Sequence, residues 1–198
     1  KSGSKRLNVE FTEEVVDKII ESSFKNAYLV QYICRTILLN KNIRSTAENM
    51  EIISDVALVD GACKTIASKL DADYFETYNI ILAGARAQQA DRAFNQYEEV
   101  LKAIKHFSIE DMEKGITYKS ISAWTWSQLD PDFIAEVISK GKYQNESSFK
   151  SSINTQIRNA FDKINENFDK NSTKPILYIH DRTLYLTDLI FKFYINWK

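Results

Sequence analysis

Glycine and proline are scarce in this chain, five and two among 198 residues. Both residues punctuate turns and strands, so their scarcity leaves little room for a loop-rich or all-β fold. Cysteine is as rare. Cys34 and Cys63 sit inside apolar helical patterns, with no CxxC pair and no His-rich cluster. That excludes a disulfide or zinc framework and leaves two buried, structural thiols in a reducing compartment. Charge of one sign is also missing: 26 Lys and Arg stand against 27 Asp and Glu. No global field draws the protein to nucleic acid or a membrane, and any such affinity must come from a local patch. No run approaches the roughly 18 apolar residues of a membrane span, and the opening Lys-Ser-Gly-Ser is not a signal peptide. A cytoplasmic protein with no membrane partner is expected, and the linker-like start without Met leads to the expectation of a piece of something longer. The sequence also lacks GxxxxGK[ST], so no loop of backbone amides cradles phosphates. The chain by itself is expected to be no enzyme and to hold no cofactor.

What is present is helical periodicity and caps. Thr12 with Glu13 and Glu14 predicts an N-cap with acids in the first turn, ahead of a buried stripe from Val15 to Ile20 that stops near Ser22. A second helix is expected over about 26–39, with Leu29, Ile33 and Ile37 repeating on one face. A third is expected over about 46–70, where Ile52, Val56, Val59, Cys63, Ile66 and Leu70 alternate by four and three as a seam against a neighbour. Asp73 and Glu76 read as a capping box that starts a fourth helix. The stretch 83–91 is the candidate subdomain boundary, with continuous helix as the alternative because it contains no helix breaker.

Beyond it, Tyr97, Val100, Leu101 and Ile104 make an amphipathic helix, and Thr117 caps another that runs past Trp124. Asp130-Pro131 is a strong start signal, because proline at the first helical position loses no hydrogen bond. A long helix is expected over about 148–168, with Phe149, Ile153, Ile157, Phe161, Ile164 and Phe168 on one arc. Two apolar segments of strand length, 176–179 and 184–186, flank His180-Asp181-Arg182-Thr183 and predict a β-hairpin. An isolated hairpin is marginal in water and needs the preceding helices as support. Helix, helix, long helix, hairpin is the order of a winged helix, with the long helix as reading element and the hairpin as wing. Thr187-Asp188 then caps an apolar last helix that must be covered.

The segment Tyr185-Leu186-Thr187-Asp188-Leu189-Ile190-Phe191-Lys192-Phe193-Tyr194-Ile195-Asn196-Trp197 resembles the end of the C-terminal winged helix of P-loop ATPases of the AAA+ and STAND type, with Leu189 where that family often has proline. The region 11–39, including Ser23-Phe24-Lys25-Asn26-Ala27-Tyr28-Leu29-Val30-Gln31, resembles their helical lid. Tyr28 stands where many AAA+ lids carry a nucleotide-sensing arginine, a departure that fits the STAND branch better. The resemblance implies a mostly α fold: a linker over 1–10, a lid-like helical bundle over 11–85, and a winged-helix domain with a small hairpin wing over 86–198. It implies a non-catalytic regulatory region that controls a nucleotide-dependent switch. ATP would be held by a missing N-terminal ATPase domain, and that domain would be the first partner.

Candidate contacts to a protein partner or to double-stranded DNA lie opposite the apolar arc of the long helix. At 100° per residue that face holds Ser151, Ser152, Thr155, Arg158 and Asn159, with Arg182 added at the hairpin tip. Between positions 140 and 182, eight basic residues face five acidic ones, a small surplus for a surface that must neutralise several phosphates. The alternative from a different class is a stand-alone winged-helix transcriptional regulator whose N-terminal helices dimerise. His106 and His180 lack partners at catalytic or metal-binding spacing and are expected at a helix end and an exposed turn. Glu98-Glu99 and Glu110-Asp111 are expected as solvated helix ends, and Trp124 as core.

Overall fold

Most helices of this protein start after a residue in extended conformation, among them Thr12, Asn26, Asn95, Ser108, Thr117 and Asp130. A computed structural model describes residues 7–82, 95–171 and 176–198. Helix accounts for 69% of the described residues, in ten helices accompanied by small sheets. The candidate boundary over 83–91 lies outside them. The chain divides into two compact units, Lys1–Asp73 with Phe193–Lys198, and Tyr74–Lys192.

The first unit contains β1 (Val9–Phe11), α1 (Glu13–Ser22), α2 (Ala27–Asn40), β2 (Glu51–Ile53), α3 (Ala57–Lys69) and the start of α4 (Asp71–Leu82). Thr12 takes the extended N-cap conformation before α1, but its side chain makes no capping bond. Positive φ at Phe24 and Lys25 turns the chain sharply into α2, whose Asn26 Oδ1 accepts from the Leu29 amide at 3.1 Å. Leu29, Ile33 and Ile37 are wholly buried, as the i, i+4 spacing requires.

The expected helix over 46–70 is overturned in its first ten residues. Segment 51–53 is instead a strand, parallel to β1, with Val9 opposite Glu51 and Phe11 opposite Ile53. The backbone groups a helix would need are taken from some forty positions away: Glu51 N–H donates to Asn8 O at 3.0 Å, and Asn8 Nδ2 donates to Ala47 O at 3.2 Å. Asp55 then accepts from the Ala57 amide at 2.9 Å, and α3 begins there. Ile52, expected in a buried seam, is 60% exposed. The seam survives only where the helix does, at Val59, Cys63 and Ile66, all buried. Cys63 is buried as expected, but Cys34 is only partly so. Burial, with the Asp60 carboxylate second, pushes the Cys63 thiol up to about 12, and burial also raises Cys34. At neutral pH neither is a nucleophilic thiolate.

The second unit contains α5 (Gln96–His106), α6 (Ile109–Lys114), β3 (Ile116–Thr117), α7 (Tyr118–Gln128), α8 (Pro131–Ser139), α9 (Glu146–Asn171), β4 (Leu177–His180) and β5 (Thr183–Leu186). The last helix, α10 (Leu189–Trp197), begins in this unit and ends in the other. Side chains cap almost every helix here. Asn95 accepts from the Tyr97 amide, Thr117 from Ser120, Asp130 from Asp132 and Asn145 from Ser148. Ser108 and Asp111 form a full capping box. That box starts α6, a helix the sequence reading does not expect although its Ser-Ile-Glu-Asp signal is plain.

The long helix buries Phe149, Ile153, Ile157, Phe161 and Ile164 completely and Phe168 nearly so, the arc read from sequence. It packs on α7 and α5. The hairpin is present: β4 and β5 run antiparallel with Leu177 opposite Leu186 and His180 opposite Thr183. Asp181 and Arg182, at φ 47° and 57°, turn the chain in the left-handed conformation that suits the twist of a two-residue hairpin. A third strand, β3, pairs antiparallel with β5, so the order is β3-β5-β4. Gly115, at φ 93°, leads into β3, where an added Cβ would come within 2.5 Å of Thr183 and Tyr185.

Two buried polar features in this unit are missed by the sequence reading. Lys192 is 2% exposed, and its ammonium donates to the carbonyls of Ile104 at 2.8 Å, Lys105 at 3.0 Å and Phe107. It closes the C-terminal end of α5, where carbonyls lack helical partners and a positive charge meets the negative end of the dipole. Tyr74 donates to Asp188 at 2.6 Å and lies 5.8 Å from the Phe191 ring. The far end of α10 belongs to the first unit, where Phe193, Tyr194 and Ile195 are buried and Asp71 accepts from Tyr194 at 2.6 Å and from Lys198 at 2.5 Å. The apolar last helix is thus covered, as its composition demands.

Candidate interface on the long helix and hairpin

The caps and arc just described fix which way each candidate side chain faces. With Ile153, Ile157 and Phe161 turned into the core, Ser151, Thr155 and Asn159 are exposed, while Ser152 and Arg158 are half-buried. Two of the uncharged residues are already engaged. Ser152 Oγ donates to the Tyr143 hydroxyl at 3.3 Å and accepts from Gln156 at 3.0 Å. Thr155 Oγ1 donates to the Ser151 carbonyl at 3.1 Å, a local bond within the helix. Ser151, Arg158 and Asn159 are the uncommitted members.

Arg182 lies at the hairpin tip, as expected, but it is tied back to the long helix. Its Nε donates to Asp162 Oδ1 at 3.4 Å, with both side chains about half exposed. A cavity of about 470 Å³ lies between α9 and the hairpin, lined by Phe161, Asp162, Asn165, Ile179, Asp181 and Arg182. Two carboxylates against one guanidinium make its wall net negative, so a phosphate entering there would have to draw Arg182 off Asp162.

The remaining candidates fall as follows. His106 is the last residue of α5, and His180 ends β4 with an exposed side chain 3.6 Å from Asp181. Glu110 and Asp111 stand in the first turn of α6, where the Ser108 hydroxyl holds the Asp111 carboxyl below its usual range. Glu99 departs from expectation. It is 7% exposed and accepts from Lys102 at 2.7 Å, because it lies on the α5 side that faces the unit's interior. Trp124 is only partly buried, stacked on His106 at 5.0 Å and 21°. Tyr28 is 56% exposed, edge-on to Tyr32 at 5.8 Å. Among the described residues no group of three or more His, Cys, Asp or Glu is arranged to hold a metal, and no helix is long and apolar enough to cross a membrane.

Comparison of the chain with protein-family models, curated proteins and solved structures returns no match.

Proposed function

We propose that this chain is a non-catalytic regulatory and interaction region of an AAA+ or STAND-type ATPase, in which a helical lid and a winged helix control a nucleotide-dependent switch. The observation that carries this reading is the arrangement strand, helices, long helix, hairpin, with β3 pairing to the second hairpin strand in the order β3-β5-β4. A helix-rich unit closed by a three-stranded sheet supports a winged helix, and it follows a helical unit whose segment 11–39 resembles the lid. The ATP belongs to a preceding domain of the parent protein. The winged helix serves protein contacts, since its long helix and wing meet through Arg182 and Asp162 and the cavity between them carries more acid than base. The test is the parent polypeptide: the sequence before Lys1 in its gene carries a GxxxxGK[ST] loop, and the longer protein protects the α2 amides from hydrogen exchange differently with ATP and with ADP. A gene that begins at this segment, or identical exchange in both nucleotides, overturns the reading.

A second reading rests on Arg158, Ser151 and Asn159, which are uncommitted on one face of α9. They suit a stand-alone winged-helix regulator that reads duplex DNA with the N-terminal half of that helix. A dimer by light scattering whose DNA affinity falls steeply with salt favours it. A monomer indifferent to DNA favours the first.

A further inference from the structure

A separate cavity, of about 400 Å³, opens between α5 and the C-terminal end of α7. It shares no residue with the helix and hairpin surface. Its volume lies at the lower end of the range of roughly 300–1,000 Å³ typical of small-molecule sites. One wall is aromatic: the His106 imidazole lies over the Trp124 indole, 5.0 Å between centroids and 21° between planes. The Trp124 N–H is buried beneath that wall with no acceptor among the described residues, so its resonance reports on changes in the packing of the ring. The rest of the α5 lining is charged. Lys102 is matched by Glu99 at 2.7 Å. Lys105 has no counter-charge among the described residues, and its side chain is exposed. Gln128 completes the rim with a side chain able both to donate and to accept.

Two ammonium groups against one carboxylate leave one positive charge unanswered beside a flat π surface. We infer that this cavity binds a small organic monoanion, an aryl or short alkyl carboxylate, with its acid group on Lys105 and its body against the Trp124 and His106 rings. A cation is disfavoured by Lys102 and Lys105, and a polyanion by Glu99. A neutral aromatic molecule would use the rings but leave Lys105 unanswered. A carboxylate answers both. Such a site would make this unit responsive to a metabolite, whatever domain it is joined to, and does not depend on the ATPase reading.

Sodium benzoate is the probe, titrated into the whole chain and followed through the indole N–H resonance of Trp124, assigned with Trp124→Phe. The expected result is saturable displacement of that resonance with a dissociation constant of roughly 1 mM or below. Lys105→Gln, a change at an exposed side chain that leaves the fold intact by circular dichroism, weakens binding at least about tenfold, close to the value of one lost charge-assisted hydrogen bond. Benzyl alcohol, which has the same body without the charge, binds at least about tenfold more weakly than benzoate, and Lys163→Gln changes nothing. The inference is overturned if the shift rises linearly without saturation. It is equally overturned if Lys105→Gln binds benzoate as well as the parent chain, or if benzyl alcohol binds as tightly as benzoate.

Discussion

The two small sheets are built in opposite ways. In the second unit β4 and β5 are joined by a two-residue turn, and β3 adds to their outer edge. In the first unit β1 and β2 are parallel and lie some forty residues apart in sequence. The antiparallel pair announces itself locally, by two apolar segments of strand length and a turn between them. The parallel pair has no local signature, since each partner is three residues long and sits within reach of a helical pattern. The capping chemistry differs at one helix start. Thr117, Asp130, Asn95 and Asn145 accept from helix amides in the second unit. In the first unit Asn26 and Asp55 do so for α2 and α3, but Thr12, before α1, does not. Where local hydrogen bonds specify an element, a reader of the sequence sees it. Where a distant backbone supplies the partner, the same residues mislead.

The largest effect is expected at Lys192, where the second unit relies on a contact 88 positions apart and so breaks its own local rule. Lys192→Met preserves the apolar stem but removes the donor to the carbonyls of Ile104, Lys105 and Phe107. A loss of about 1–3 kcal/mol is expected in urea unfolding near neutral pH, the usual cost of stranding buried acceptors. The pH dependence sharpens this. Burial pulls Lys192 down to about 8, against an ordinary 10.5, with Asp111 opposing. Between those values the unfolded chain holds a proton that the folded chain has released, so this residue contributes a rise in stability with increasing pH across that window. The raised Cys63 thiol works in the opposite sense above about 9. The quantity to measure is therefore the difference between parent and variant, which should widen from pH 8 to 10. If the difference stays flat, Lys192 titrates normally and its three hydrogen bonds outweigh its burial.

The next effect tests the capping contrast directly. Thr117→Ala removes the oxygen that accepts from the Ser120 amide at 3.1 Å and should cost about 1 kcal/mol. Thr12→Val should cost nothing or add slight stability, because the Thr12 hydroxyl is buried without a partner and valine replaces it with a methyl group of the same shape. Equal losses at the two sites would show that both threonines cap in solution and would remove the contrast.

That contrast also says what was legible. The arc from Phe149 to Phe168, the starts of α7 and α8 and the hairpin follow from periods and caps visible within a turn or two of chain. The strand over 51–53, buried Glu99 and buried Lys192 do not, because each is decided by what packs against it. The contact face of α9 was half legible. Periodicity shows that Ser151, Thr155, Arg158 and Asn159 lie opposite the core, but the contacts of Ser152 with Tyr143 and of Arg182 with Asp162 join different elements and have no pattern in the sequence.

Arg182 carries the smallest expected effect on stability. Its ion pair with Asp162 spans 3.4 Å with both side chains about half exposed, and pairs of that kind contribute about 0–1 kcal/mol and less at high salt. Arg182→Ala should therefore shift the urea midpoint barely at all. Its value lies in duplex-DNA titration across salt concentrations. A free arginine at a phosphate steepens the salt dependence by roughly one unit, so two free arginines contribute roughly two. With Arg182 held by Asp162, Arg158→Ala alone should make the slope shallower by about one unit, and Arg182→Ala should leave it unchanged. Asp162→Asn releases Arg182 and should restore its share, steepening the slope by about one unit. If Arg182→Ala alone reduces the slope by a full unit, the wing does leave the helix to meet phosphate, and the DNA-reading use of this unit gains ground. If the double variant of Arg158 and Arg182 binds duplex as the parent does, with the same slope, this face is not a DNA surface. The face of α9 and the tip of the hairpin then belong to a protein contact, which their shared Arg182–Asp162 pair already suits.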